Sequence, residues 1–368
     1  CHGGIFVTRQ LLETVYAAGA QPAEAGEFTK RAFLAGKMTL TQAEAVMDVI
    51  GAAGKRELAF AHAQQNGALF HRVQQISQGI VRSLGDLAAW ADYPEDEIPA
   101  VTPESLHAAL QPVLEQLDST LATYDYGRIL QSGVSAVIVG KPNVGKSTLF
   151  NLLSGSQRSI VTEIAGTTRD VVEEQIRLGN VTLRLSDTAG LRETEDVIEQ
   201  MGVKIAEERL AQADLILAVF DTTRPLDEDD RRMLEQLPEK PVIAILNKSD
   251  QSAQLDTDEL EPYFSRVITM AAREGSGLEQ LQQAVEELFY QAEVTPELGI
   301  VANARQKQCL EQAREQVQLA LEALDAGELL DAVTVLLEEA ADALLTLTGE
   351  RVSEAVVNDV FSRFCVGK

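Results

Sequence analysis

Cysteine is scarce in this chain, with only Cys1, Cys309 and Cys365 in 368 residues. Their spacing fits neither a disulfide framework nor a metal-ligand pattern, which points to a reducing, cytoplasmic setting. Long apolar runs are also missing. No stretch approaches the roughly 20 residues that a membrane helix needs, although 45% of the residues are hydrophobic and can build sizeable cores. Neither a signal peptide nor a membrane partner is expected. Basic residues are outnumbered, 31 Lys and Arg against 57 Asp and Glu, for a net charge of −26. That balance opposes broad electrostatic capture of nucleic acid, but leaves room for a nucleic-acid substrate held by a basic partner or a local patch. The four histidines, His2, His62, His71 and His107, are scattered and read as surface residues. An initiator methionine is absent too. "CHGGIFVTRQ" starts inside a pattern, so the natural N-terminus is expected to be missing.

Length predicts two or three domains. Residues 1–34 are mixed, with "HGG" opening one helix and "AGEFTKRAF" leading into another. Residues 35–130 are rich in Ala, Leu, Gln and Glu at helical spacing, and "YPEDEIPAVTP" (93–103) interrupts them as a loop. Residues 131–290 alternate helical stretches with short β-rich runs: "SAVIVG", "VTLRLSD", "DLILAVFD", "PVIAILN" and "RVITMA". These near-continuous apolar strands fit a mostly parallel sheet buried on both faces. Helical texture returns over 291–368. The economical architecture is an α/β domain inserted into an all-α domain made of two separated segments. Three serial domains are the alternative.

"VIVGKPNVGKST" carries G-x-x-x-x-G-K-[ST] between a strand and a helix, the context that a phosphate-binding P-loop requires. Amides of Asn143, Val144, Gly145, Lys146, Ser147 and Thr148 would cradle the phosphates, Lys146 would reach the β- and γ-phosphates, and the Ser147 hydroxyl would ligate Mg²⁺. "LNKSD" supplies Asn247, Lys248, Ser249 and Asp250. A carboxylate at 250 accepts from guanine N1–H and the 2-amino group together, a donor pair adenine lacks, so GTP is expected rather than ATP. Ala271, Ala272 and Arg273 stand where such sites carry S-A-K or S-A-R, and the Ala272 amide is the useful group there. "TEIAGTTRD" supplies a switch segment (Thr162, Glu163, Ile164, Ala165, Gly166, Thr167, Thr168), with Thr168 a Mg²⁺ ligand when the γ-phosphate is present. Asp187, Thr188, Ala189 and Gly190 form the D-x-x-G turn. Small switch GTPases such as Ras place a water-orienting glutamine just after it. Here that position is Leu191, which neither donates nor accepts a hydrogen bond. Glu193, Glu195, Asp196 and Glu199 are all acidic neighbours, and the residues alone do not choose among them.

Together these motifs resemble the MnmE (TrmE) family of tRNA modification GTPases over the whole chain. The resemblance rests on "AGEFTKRAFLAGKMTLTQAEAVMDVI", "GKPNVGKS", "GTTRD", "DTAGLRE" and the terminal "FCVGK". It implies a P-loop GTPase domain inserted into a helical domain, with residues 1–34 the remnant of an N-terminal folate-binding domain. It implies catalysis by Glu199 and Lys146. It also implies K⁺ activation, with Asn143, Thr162, Ile164 and Thr167 around the ion, replacing an arginine finger. Lys37 and Lys368 would be the retained half of a 5-formyl-tetrahydrofolate-type site, with Cys365 adjacent. Implied partners are GTP and GDP, tRNA, an MnmG-like FAD protein in a heterotetramer, and a second copy of the full-length chain. The implied outcome is 5-carboxymethylaminomethyluridine at the wobble position of certain tRNAs. The competing functions are an Era-type ribosome-assembly switch, which needs an RNA-binding module such as a KH loop, and a helical scaffold with a vestigial site.

Overall fold

Helix starts are written into the chain by capping residues. Thr39 and Gln42 satisfy each other's backbone amides, Thr102 does the same with Ser105 ahead of Pro103, and the Asn303 side chain accepts from Gln306 N at 2.9 Å. The computed structural model describes residues 3–92, 101–156, 173–186, 210–260, 262–290 and 298–364. Helices α1 (Ile5–Ala17), α2 (Glu27–Leu34), α3 (Leu40–Gly51), α4 (Lys55–Gln65), α5 (Ala68–Asp92), α6 (Pro103–Leu121) and α7 (Tyr124–Ser132) come first. An α/β unit follows: β1 (Val134–Val139), α8 (Lys146–Ser156), β2 (Glu173–Leu178), β3 (Val181–Ser186), β4 (Leu215–Asp221), α9 (Glu228–Glu235), β5 (Val242–Asn247), β6 (Val267–Thr269) and α10 (Leu278–Phe289). Helices α11 (Ala304–Asp325), α12 (Leu330–Thr348) and α13 (Glu354–Ser362) close the chain.

The strands lie in the order β2-β3-β1-β4-β5-β6. All neighbours are parallel except β2 and β3, a hairpin running from Glu173↔Ser186 to Leu178↔Val181. Every residue of β4 is buried. One face packs on α8 and α10 through Leu149, Leu217, Leu281 and Val285, and the other packs Phe220 and Leu246 on Leu234 of α9. β2 is a strand that the sequence pattern did not mark. Among its described side chains only Ile176 and Leu178 are buried, and its polar positions suit an exposed edge.

The helical core answers the question of serial against inserted domains. Leu69, Ile76, Leu110 and Leu117 share one cluster with Leu310, Val317, Leu337 and Leu344. Segments before and after the α/β unit therefore complete each other, as an insertion requires. Arg305 of α11 staples the assembly. It forks onto Glu44 of α3 at 2.8 and 3.0 Å and donates to the Thr346 and Leu347 carbonyls at the end of α12. At the chain's end Phe361 and Phe364 pack with Leu40, Ala43 and Phe33, which sets α13 on α2 and α3. α1 has no buried residue, and Ile5 and Phe6 are 90% and 76% exposed.

The two units meet in part through Asp48 of α3, which accepts from Gln131 Nε2 at 2.9 Å. Burial, with Glu44 adding to it against the Gln131 bond, pushes the Asp48 carboxyl up to about 6. A folded-state value above the unfolded one means that its stabilising protonation is lost as pH rises through about 6. Asp48→Asn keeps an acceptor for Gln131 without the charge. Its thermal stability relative to the parent should therefore improve by about 1 kcal/mol between pH 5 and pH 7.5. Thermal unfolding of both proteins across that range checks this, and a difference that does not vary with pH contradicts it.

Candidate nucleotide site

The site gathers at the carboxyl ends of β1, β4 and β5, where open α/β sheets place their ligands. The loop after β1 turns into α8. Its Asn143 sits at a positive φ of 67° and is exposed, Val144 is fully buried, and Ser147 and Thr148 are exposed in the first turn of α8. The helix start offers unpaired amides and partial positive charge to an anion. Lys146 folds over the loop, its Nζ donating to the carbonyls of Gly140 at 2.6 Å and Lys141 at 2.7 Å. Burial pushes its amine below the ordinary lysine value. An ammonium held there by two carbonyls keeps a third donor for phosphate.

Asn247 joins this loop to the base-reading segment. It ends β5, is buried, donates through Nδ2 to Val144 O at 2.8 Å and accepts on Oδ1 from Ala272 N at 3.0 Å. Its own carbonyl takes both the N–H and the hydroxyl of Thr222, at 3.0 and 2.9 Å. One residue thus pins three loops, two through its side chain and the Thr222 loop through its carbonyl. The Ala272 amide, expected to face guanine, is engaged by Asn247 and can serve both only as a bifurcated donor. Ala271 is tied by its N–H to Ser276 O at 3.1 Å, Ser249 N donates to Met270 O at 3.1 Å, and Arg273 and Asp250 are exposed.

Ion pairs that sequence reasoning did not find brace the backs of these loops. Lys248, at φ 67°, reaches Asp221 Oδ2 at 2.6 Å. Burial opposes ionisation of Asp221, but the bonds from Lys248 and Thr223 outweigh it and hold the carboxyl below the usual range. Lys141 donates to Asp227 at 2.5 Å and Asp229 at 3.2 Å, and Arg224 bridges Asp227 to the buried Asp230. The available signal for Asp221 was its place at the carboxyl end of β4.

Thr162 to Thr168, Asp187 to Gly190, Glu199, Cys365 and Lys368 lie outside the described residues. Lys37 lines a cavity of about 510 Å³ with Phe33, Thr39, Gln42, Phe70 and Glu350. Its lining thus combines one amine with two aromatic side chains. A second cavity, of about 940 Å³, lies between α2 and α13 and includes Lys30, Arg31 and Asn358.

A mostly parallel sheet with a P-loop after β1 and an Asn-Lys-x-Asp turn at the end of β5, joined to a helical core, defines a P-loop GTPase module inserted in a helical domain. The comparisons with known proteins take this further. Residues 40–365 match the MnmE helical domain, and residues 1–37 match the GTP-binding protein TrmE N-terminus. The tRNA modification GTPase MnmE of Acetivibrio thermocellus is 40% identical over 371 residues, covering 100% of this chain and 81% of that protein. The MnmE of Geobacter metallireducens is 42% identical with the same coverage. A solved structure of Aquifex aeolicus Era bound to GDP and AlF4⁻ is 30% identical over 51% of this chain and 67% of that one, at a TM-score of 0.35. The chain belongs to the MnmE family.

Asn247 also explains why position 145 is glycine. A Cβ on Gly145, at φ 102°, would overlap Asn247 Nδ2. Gly145→Ala should therefore weaken nucleotide binding at least about tenfold, or ~1.4 kcal/mol, in a titration with fluorescent GDP. An unchanged Kd would show that the Asn247 bridge does not set the loop.

Proposed function

We propose that the chain is a K⁺-activated GTP hydrolase that works with an MnmG-like flavoprotein to modify the wobble uridine of certain tRNAs to 5-carboxymethylaminomethyluridine. The observation that carries this reading is the Asn247 bridge, which ties the phosphate loop carrying Lys146 to the loop carrying Asp250, as one bound guanine nucleotide requires. Membership of the MnmE family and the names of the relatives supply the tRNA reaction. Among the described residues no strand follows β6, so an Era-type KH sheet is not found there. No helix among them is long and apolar enough to cross a membrane.

The division of labour follows the motifs, with residues 131–290 as the G domain, 35–130 and 291–368 as the helical domain, and 1–34 as the folate-domain remnant. Asn143 to Thr148 hold the phosphates, and Asn247 to Asp250 with Ala271 to Arg273 hold guanine. Ser147 and Thr168 ligate Mg²⁺, and Asp187 backs that ion. The exposed Ser147 hydroxyl is a hard oxygen donor of the kind Mg²⁺ takes. Asn143, with Thr162, Ile164 and Thr167, holds K⁺, whose charge would offset what builds on the phosphates in the transition state. Glu199 orients the attacking water in place of the glutamine that Leu191 displaces. Lys37 and Lys368 take the folate acid groups, with Cys365 beside them. Phe364 packs against Gly26, so the C-terminal tail begins next to the "AGEF" segment. In the full-length protein the chain pairs with a second copy and assembles with its flavoprotein partner as a heterotetramer.

GTP hydrolysis in KCl against NaCl at equal ionic strength tests the ion. Turnover should be roughly tenfold faster or more in K⁺, worth ~1.4 kcal/mol at the transition state, and equal rates remove the K⁺ assignment. Glu199→Ala should lower kcat by about 10²–10⁴-fold with GDP affinity unchanged, while Glu193→Ala and Glu195→Ala change little. Retention of most of the K⁺-stimulated rate by Glu199→Ala would assign water positioning to backbone and ion.

A further inference from the structure

The β2–β3 hairpin has an unusual place in this chain. Its open end, Glu173 opposite Ser186, is separated by four residues from Thr168 on one side and directly precedes Asp187 on the other. Its closed end reaches the helical domain. Thr182 Oγ1 donates to Glu57 Oε1 at 2.7 Å, across 125 positions of sequence. Glu57 is buried in the first turn of α4, and its other oxygen accepts from Ala53 N at 2.6 Å and Gly54 N at 2.9 Å. The carboxylate is thus fixed to its own helix before it meets the hairpin. The turn is held a second time, by Asn180 N donating to Glu286 Oε1 of α10 at 2.9 Å, and just beyond α10 the Tyr290 ring lies 4.8 Å beneath the Arg56 guanidinium.

We propose that Glu57 is a positioning residue for GTP turnover: through Thr182 it holds the hairpin that carries both the Thr168 and the Asp187 segments, and so couples the helical domain to the reacting phosphate. The proposal rests on the GTPase reading above. A hairpin freed at its turn samples more orientations, so a smaller fraction of molecules has both segments placed for reaction. Guanine and the β-phosphate are held elsewhere, by loops following β1, β5 and β6, so nucleotide affinity is not the quantity that changes.

Thr182→Val is the clean test in the 368-residue chain. It matches threonine in shape and strand preference, and leaves the Glu57 bonds to Ala53 and Gly54 intact. The expected result is a kcat about threefold to tenfold lower with the GDP Kd within about twofold, and recovery in Thr182→Ser, which keeps the hydroxyl. Combining Thr182→Val with Glu57→Ala should cost no more than Glu57→Ala alone. Val333→Ala, a truncation in the helical core, should lower Tm without changing kcat. The positioning role is overturned if Thr182→Val turns over within twofold of the parent, if kcat and GDP affinity fall together, or if serine fails to restore the rate. A parent chain that does not hydrolyse GTP overturns both the GTPase reading and this role.

Discussion

The chain leaves the helical domain through α7 and returns to it at Ile300 and Val301, and the two passages cross closer than any side chain permits. A Cβ on Gly127 would overlap the Val301 carbonyl. The crossing is bonded as well as packed. Val301 N donates to Thr123 Oγ1 at 3.0 Å, and Gln64 of α4 donates to the Ile300 carbonyl. Everything else depends on this joint. Because the strands of chain meet there, Val301 can enter the helical core while Ile300 and Ala302 enter the α/β core, together with Phe60 of α4. An inserted domain on loose linkers moves freely by default. One whose junction lies inside two cores passes displacement on, since packed interiors deform little.

The nucleotide site solves an electrostatic problem with local means. A chain of net charge −26 repels a nucleotide triphosphate at long range. At short range the P-loop presents backbone amides, the α8 start and Lys146. The other lysines near the loops are spent on carboxylates, Lys141 on Asp227 and Asp229, and Lys248 on Asp221. These pairs brace the loops from behind. The buried Asn247 amide can link the P-loop to the Ala272 loop because both of its polar atoms are satisfied, and a buried amide without partners would cost more than it contributes.

The sequence was most readable where function demands a local pattern. The P-loop, the Asn-Lys-x-Asp turn and the near-continuous apolar strands are legible because phosphate, guanine and a two-sided core constrain adjacent residues. The helical texture was legible for the same reason at a period of 3.6. What escaped was non-local or polar. The β2 strand has too few apolar positions to stand out at an edge. The Glu44–Arg305 fork spans 261 positions, and nothing near either residue announces the other. The bond from the Ala272 amide to Asn247 was not legible, because spacing shows which residue reaches a site but not which neighbours it also bonds. Asp48 and Glu57 carry no sequence signal of their own, and only the packed α/β unit shows that they are contact points between domains.

Those two residues lie on α3 and α4, and this pair of helices is the wall that both ends of the molecule share. On one side it meets the inserted domain through Asp48, Glu57 and Phe60. On the other, Leu40 and Ala43 of α3 pack against Val357, Phe361 and Phe364, the last described residue before the C-terminal tail. The long helices α5, α6, α11 and α12 form a separate core. The β2–β3 hairpin and α13 are thus linked by a short route, through two small helices. Glu44 stands where that route touches the bundle, and its fork with Arg305 ties α3 to the end of α12.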